Sequence, residues 1–140
     1  MREIKFRAWS KIEKIMIYFS SHWAIDSEYW NLGFVIDNNE KNFFEGYEGG
    51  KDKIILMQYI GLNDKNGKEI YEGDIVKVID KEVYGYRLLY EVRFNNMGAF
   101  FGLHDVKRNH YLLLNESDSF MTNQLMIIGN IYENSELLEK

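Results

Sequence analysis

The sequence predicts an all-β fold, mainly antiparallel, with little helix. Apolar and polar residues alternate at period two through much of the chain. Short strand-like runs recur at roughly 8–12-residue spacing, the rhythm of a β-barrel or a β-sandwich. The breaks between them are made by Gly and Asn, since the chain has 11 Gly and no Pro.

The elements follow in order. Ile4, Phe6 and Ala8 alternate with Lys5, Arg7 and Trp9, as in a half-buried strand. Lys14-Ile15-Met16-Ile17-Tyr18-Phe19 forms its partner across a turn at Ser10–Glu13, giving an N-terminal β-hairpin. Ser20–Leu32 is aromatic without clear periodicity, and a loop and a short helix both fit it. Phe34-Val35-Ile36 is a short strand closed by the turn cluster Asp37-Asn38-Asn39. Gly46, Gly49 and Gly50 mark a surface loop before a strand at Ile54–Ile60.

Asn66-Gly67 is the sharpest local signal, because both residues tolerate the positive φ that a type I′ hairpin turn requires. Gly61, Gly67 and Gly73 fall at six-residue intervals, where the chain is expected to turn between short strands. Glu72-Gly73-Asp74 launches a strand at Ile75–Ile79. Tyr86, Leu88, Tyr90, Val92 and Phe94 alternate with Arg87, Leu89, Glu91 and Arg93, the cleanest amphipathic strand. Asn95-Asn96 and Gly98 turn the chain into Ala99–Leu103, and Tyr111–Leu114 and Leu125–Ile131 complete the set. Asn134–Lys140, with Leu137 and Leu138, is the one helical stretch.

Composition bounds the function more than it identifies it. The chain has 140 residues, 46% of them hydrophobic, the size and content of one compact domain. The lack of Cys excludes a disulfide scaffold, a thiolate zinc site and a cysteine nucleophile. A net charge of -5 argues against a general nucleic-acid binder, which needs clustered cations. No apolar run approaches the ~20 residues of a membrane helix. Residues 1–7 lack a signal-peptide core, so a cytoplasmic location is expected.

Three stretches carry a family resemblance. They are Arg2-Glu3-Ile4-Lys5-Phe6-Arg7-Ala8-Trp9, the run Leu56–Lys77 (LMQYIGLNDKNGKEIYEGDIVK), and Ile127-Ile128-Gly129-Asn130-Ile131-Tyr132-Glu133-Asn134. Together they resemble the YopX family of small phage and prophage proteins, mainly of Gram-positive bacteria. Family members commonly have Asp, Thr and Pro where this chain has Ser10, Ile60 and Ser135; Ser20–Lys53 and Lys107–Asn123 fall outside the motifs. The resemblance implies a cytoplasmic, phage-derived protein with a mostly β fold, a C-terminal part similar to an SH3-like barrel, and self-association. On that reading residues 1–140 are a single YopX-like domain. It comprises an N-terminal hairpin with variable loops (1–60), the barrel part (61–134) and a short helical tail (135–140). No catalytic or binding residue transfers, because the family defines none.

The residues themselves offer few chemical candidates. There is no phosphate-binding glycine loop and no G-x-S-x-G nucleophile elbow. Asp64-Lys65-Asn66-Gly67 fails as a calcium loop, because Gly67 at position six would put Leu62 at position one. Asp64, Lys65, Asn66 and Lys68 form either an exposed recognition loop or a structural turn, and the glycine placement favours the turn. His104 and His110 share a face if they lie on one strand, but stand about 20 Å apart at ~3.3 Å per residue. They could meet, with Asp105, only if the chain turned at Lys107-Arg108-Asn109. Glu69, Glu72 and Asp74 would serve a hydrolase only by converging in a pocket; the plainer reading is a solvated turn rim.

Trp23, Tyr29 and Trp30 suit a protein interface equally well as a cover for the open end of a barrel. Arg2, Lys5, Arg7 and Trp9 combine cations with an aromatic, the composition of a nucleic-acid contact, or else of a solvated strand face. No metal or cofactor is expected. The expectation is a non-enzymatic accessory protein, a homo-oligomer that contacts phage or host proteins. A nucleic-acid-binding module using the N-terminal strand is the alternative.

Overall fold

The computed structural model describes residues 3–18, 54–79, 89–114 and 123–139, together with the backbone of 23–25 and 32–34. The strands run β1 (Phe6–Ser10), β2 (Ile15–Tyr18), β3 (Trp23–Ile25), β4 (Leu32–Phe34), β5 (Ile54–Asn63), β6 (Glu69–Tyr71), β7 (Asp74–Val78), β8 (Leu89–Asn95), β9 (Phe100–Asp105), β10 (His110–Leu113) and β11 (Leu125–Asn130). Among the described residues, helix is limited to α1 (Glu136–Glu139) and the two residues Asn123 and Gln124 just before β11. Every strand pairing among the described residues is antiparallel, which is the predicted all-β class. By proximity the chain divides into two compact units, Ile4–Gln58 and Tyr59–Lys140 with Met1–Glu3.

In the first unit β1 lies between β2 and the first half of β5, with Ala8 opposite both Ile17 and Leu56. Its centre is buried on both faces: Arg7, Ala8, Trp9 and Ser10 are each at most 6% exposed. The expected half-buried strand is therefore corrected. Alternation with charge signals one wet face only when a strand is not enclosed. The segment from Ser20, for which loop and helix both fitted, contains the strand β3, paired with β4 through Trp23 and Phe34. Of the expected strand Phe34-Val35-Ile36, Phe34 lies in β4 (Leu32–Phe34), while Val35, Ile36 and the turn cluster Asp37-Asn38-Asn39 lie outside the described residues. The expected Gly46–Gly50 loop, Tyr86 and Leu88 lie outside the described residues.

In the second unit five strands form a sheet in the order β10-β9-β8-β7-β11. The apolar face of β8 points inward as its alternation predicts: Tyr90 and Val92 join Val76, Val78, Leu103 and Leu125 in the core, with Ile60 and Ile70 from the β5–β6 hairpin. Burying each such Ile, Leu or Val side chain contributes about 1.5–3 kcal/mol.

Turn chemistry departs from expectation in an orderly way. Gly61 has φ +89°, but it sits within β5, where the register with β6 shifts between Tyr59 and Asn63; it makes a bulge and not a turn. Gly67 has φ +80° while Asn66 does not enter the positive region, so the predicted type I′ turn is overturned. Instead the Gly67 N–H donates to the Asp64 carbonyl (2.9 Å) and the Asp64 N–H to the Lys68 carbonyl (2.8 Å). That is a type I turn followed by a glycine bulge, the favoured solution when Asp opens the turn.

Three other hairpins share one design. Residue pairs Ser10–Ile15, Asn95–Phe100 and Asp105–His110 each close a four-residue loop. In each, the opening side chain accepts backbone N–H groups of the loop: Ser10 from Glu13, Asn95 from Met97 and Gly98, Asp105 from Lys107 and Arg108. The last loop residue is left-handed: Lys14 (φ 57°), Ala99 (φ 54°) and Asn109 (φ 50°). Gly98, expected to turn the chain, leaves that role to Ala99. A Cβ at Gly98 would fall 2.3 Å from the Phe100 ring, so this glycine makes room for an aromatic.

These geometries set opposite expectations for two substitutions. A Cβ added at Gly67 would meet no atom within 4 Å, yet Gly67→Ala should cost about 1–2 kcal/mol through its positive φ alone. Ala99→Gly should instead stabilise by about 0.5 kcal/mol, since relief of left-handed strain exceeds the entropy cost of glycine. Urea midpoints of the two variants against the parent chain check both signs.

Candidate functional site

The hairpin between β5 and β6 is organised by one carboxylate. Asp64 Oδ1 accepts the N–H groups of Asn66 (2.8 Å) and Lys68 (3.0 Å), and Oδ2 accepts that of Ile127 in β11 (3.1 Å). Burial pushes this carboxyl up, but the N–H groups of Ile127, Lys68 and Asn66 and the charge of Lys68 outweigh it and hold the group below its ordinary range. The Lys65 N–H also donates to the Leu125 carbonyl at 2.9 Å. Asp64 is only 6% exposed and its carboxylate serves the turn, while Lys65, Asn66 and Lys68 are exposed.

The other motif residues also serve the backbone. The Gly73 N–H donates to the Val92 carbonyl and the Gly73 carbonyl accepts from Ile131, tying the middle of β8 to the end of β11. Asp74, buried at 2% exposure, accepts the Tyr71 N–H at 2.8 Å. Glu69 accepts the Tyr71 hydroxyl at 2.8 Å. Asp74 and Glu69 are thus held by turn and strand partners, and Glu72 sits half-buried in the turn between them. In the last motif Asn130 Oδ1 accepts from Tyr132 and Glu133, and the Asn130 N–H donates to Asn134 Oδ1. A Cβ at Gly129 would lie 2.5 Å from that same Oδ1, which explains the glycine.

The N-terminal candidates are placed as follows. Arg2 lies outside the described residues, and Lys5 is half-buried. Arg7 is 2% and Trp9 6% exposed, with the Arg7 guanidinium 6.0 Å from the Tyr18 ring centroid. Neither offers a free cation or ring face to a nucleic-acid strand. Trp23 opens β3, while Tyr29 and Trp30 lie outside the described residues.

The chain does turn at Lys107-Arg108-Asn109. His104 then pairs with Tyr111, and His110 with Asp105. Cross-strand partners share a face, so the hairpin puts the two imidazoles on opposite faces, correcting the shared face expected of one strand. His104 is buried and His110 exposed. No group of three His, Asp or Glu side chains among the described residues is placed to hold a metal.

A polar network, of whose members only His104 is a sequence candidate, lies on the sheet face opposite the core. Glu91, Arg93, His104 and Tyr111 occupy one face of β8, β9 and β10. Glu91 grips Arg93 with both oxygens, at 3.1 Å to Nε and 2.7 Å to Nη2. Burial works to lower the Arg93 pKa, but the hydrogen bond and charge of Glu91, with help from Tyr111, hold it above the ordinary value. His104 stacks on Tyr111 with centroids 4.6 Å apart, and its Nε2 meets Asn109 Oδ1 at 3.0 Å. Glu91 Oε2 lies 4.0 Å from His104 Nδ1. The Glu91/Arg93 alternation was the signal for a common face. What it lacked was the burial of Glu91, at 5% exposure.

The Asp64 geometry sets a pH dependence. Its folded pKa is depressed, so its contribution to stability is full above the unfolded value near 3.8 and is lost as pH falls toward the lower folded value. Asp64→Asn should cost about 1–3 kcal/mol at neutral pH, because an amide NH2 would face one of the three N–H donors. It should also flatten the loss of stability below about pH 4. Urea midpoints of both proteins between pH 2.5 and pH 7 (about the carboxylate range and above) test this.

The family described as YopX protein matches residues 5–139. A crystal structure of protein EF1440 from Enterococcus faecalis is similar over 99% of this chain and 99% of that one, at 26% identity and a TM-score of 0.60. No curated protein matches.

Proposed function

The chain belongs to the YopX family, and from that premise we propose a non-enzymatic phage or prophage accessory protein that works through protein contacts, first with further copies of itself. The observation that carries this reading is a set of exposed apolar side chains on the unit Ile4–Gln58, of which Ile15 and Leu56 share one face of the sheet and Tyr18 lies on the other. Ile4, Ile12, Ile15, Tyr18 and Leu56 are each between 46% and 61% exposed. Ile15 and Tyr18 lie on β2, an edge strand among the described residues. Exposed apolar side chains at a strand edge are what subunit pairing covers.

The family resemblance supports the phage origin and a cytoplasmic site of action, with phage or host proteins as further partners. No helix of the described residues is long and apolar enough to cross a membrane. An SH3-like barrel for residues 61–134 is supported by the five antiparallel strands whose core takes in Ile70 of the β5–β6 hairpin. The burial of Arg7 and Trp9 counts against the nucleic-acid alternative, which named both as contacts.

Size-exclusion chromatography with light scattering tests the proposal. Masses at multiples of 16.7 kDa are expected, and a monomer at high protein concentration overturns it. The double variant Ile15→Lys/Leu56→Lys should weaken association at least about tenfold, equivalent to ~1.4 kcal/mol. Its folding stability should stay within about 0.5 kcal/mol of the parent, since both side chains are exposed.

A further inference from the structure

The exposed side of the Asp64 turn carries a reactive pair. Asn66-Gly67 is the single Asn-Gly step among the 140 residues. Asparagine is thermolabile, because the backbone nitrogen that follows it can attack its side-chain amide. Glycine in the following position leaves that attack unobstructed, having no side chain. Both residues are exposed, and a Cβ built on Gly67 would meet no atom within 4 Å, so hydroxide and water reach the pair. The backbone geometry opposes the reaction. A backbone nitrogen attacks only after losing its hydrogen, and that of Gly67 is donated to the Asp64 carbonyl at 2.9 Å. Asn66 is pinned as well: its own N–H and that of Lys68 converge on Asp64 Oδ1, at 2.8 Å and 3.0 Å.

We propose that Asn66-Gly67 is a site of spontaneous deamidation guarded by the Asp64 turn, reacting only while the Gly67–Asp64 hydrogen bond is open. In the opened turn Gly67 gives up its amide hydrogen to hydroxide, and its nitrogen forms a bond to Asn66 Cγ. The bond from Cγ to the side-chain nitrogen breaks, and that nitrogen takes up a proton and leaves as ammonia. The five-membered imide so formed adds one water. Opening at Cγ gives an aspartate with the original backbone; opening at the main-chain carbonyl gives an isoaspartate, whose backbone runs through Cβ. Isoaspartate lengthens by one carbon the turn in which Asn66 and Lys68 share one oxygen of Asp64. The same carboxylate holds the Ile127 N–H at 3.1 Å, so the modification loosens the seam to β11. The site stands apart from self-association and survives its failure.

Peptide mapping by mass spectrometry, on the full chain incubated in mildly alkaline buffer, reads the loss of ammonia at Asn66. In urea above the unfolding midpoint that loss should be at least about tenfold faster than in the folded chain. The folded variant Asp64→Ala should lose ammonia at Asn66 at least about threefold faster than the parent. Solvent exchange of the Gly67 amide hydrogen, followed by NMR on the parent, measures the same opening, so its protection should match that of Asn66 within about tenfold. A smaller effect in either rate comparison overturns the proposal, and so does a larger mismatch of the two protections. Should Asp64→Ala not fold, the two protections in the parent chain decide the matter alone. The isolated isoaspartyl form should unfold at lower urea than the parent; an unchanged midpoint overturns the loosening of the seam.

Discussion

Two oxygens of Asp64 receive three backbone N–H groups, and one of those donors, Ile127, lies 63 residues further along the chain. The same carboxylate therefore shapes a local turn and fastens the last strand of the sheet. Its neighbours extend the seam: Lys65 donates to Leu125, and Gly73 joins Val92 to Ile131. Hydrogen bonds to a charged acceptor are about twice as strong as neutral ones. Losing this acceptor would leave three backbone N–H groups without their shared partner. The core of Ile70, Val76, Leu103 and Leu125 is closed along this seam, so its packing presupposes the carboxylate.

Seen this way, the three motif stretches have a common physical content. In the middle and last stretches, Asp64, Asp74, Asn130 and Asn134 are backbone caps, and Gly61, Gly67 and Gly73 occupy left-handed positions. Gly129 yields space to Asn134. In the first stretch, β1 is the enclosed middle strand of its unit. A chain without proline or cysteine has few covalent means of fixing its turns. It fixes them with Asp, Asn and Ser side chains that accept loop N–H groups.

The all-β class and the inward face of β8 were legible because period-two alternation reports directly on burial. Turn positions were legible too, but their geometry was not. Asn66-Gly67 reads as type I′ until the competing demand of the Asp64 side chain is included, and that demand depends on burial. The three four-residue loops end on Lys14, Ala99 and Asn109, of which only Asn favours a left-handed backbone, so composition gives little warning. The burial of Arg7 and Trp9 was hidden because alternation cannot reveal that both faces of a strand are covered. The Glu91–His104–Asn109 group escaped for another reason: it joins β8 to β9 and the loop that follows, and Glu91 stands on a different strand from His104.

The seating of β11 beside β7 carries a consequence for synthesis of the chain. Residues Asp74–Val78 accept as their partner Leu125–Asn130, which leaves the ribosome about fifty residues later, or several seconds at ordinary elongation rates of roughly 5–20 residues per second. Until then β7 offers an open, apolar edge and Asp64 lacks its distant donor. Closure of this sheet waits for those later residues, and the nascent protein must keep that edge from other strands in the meantime.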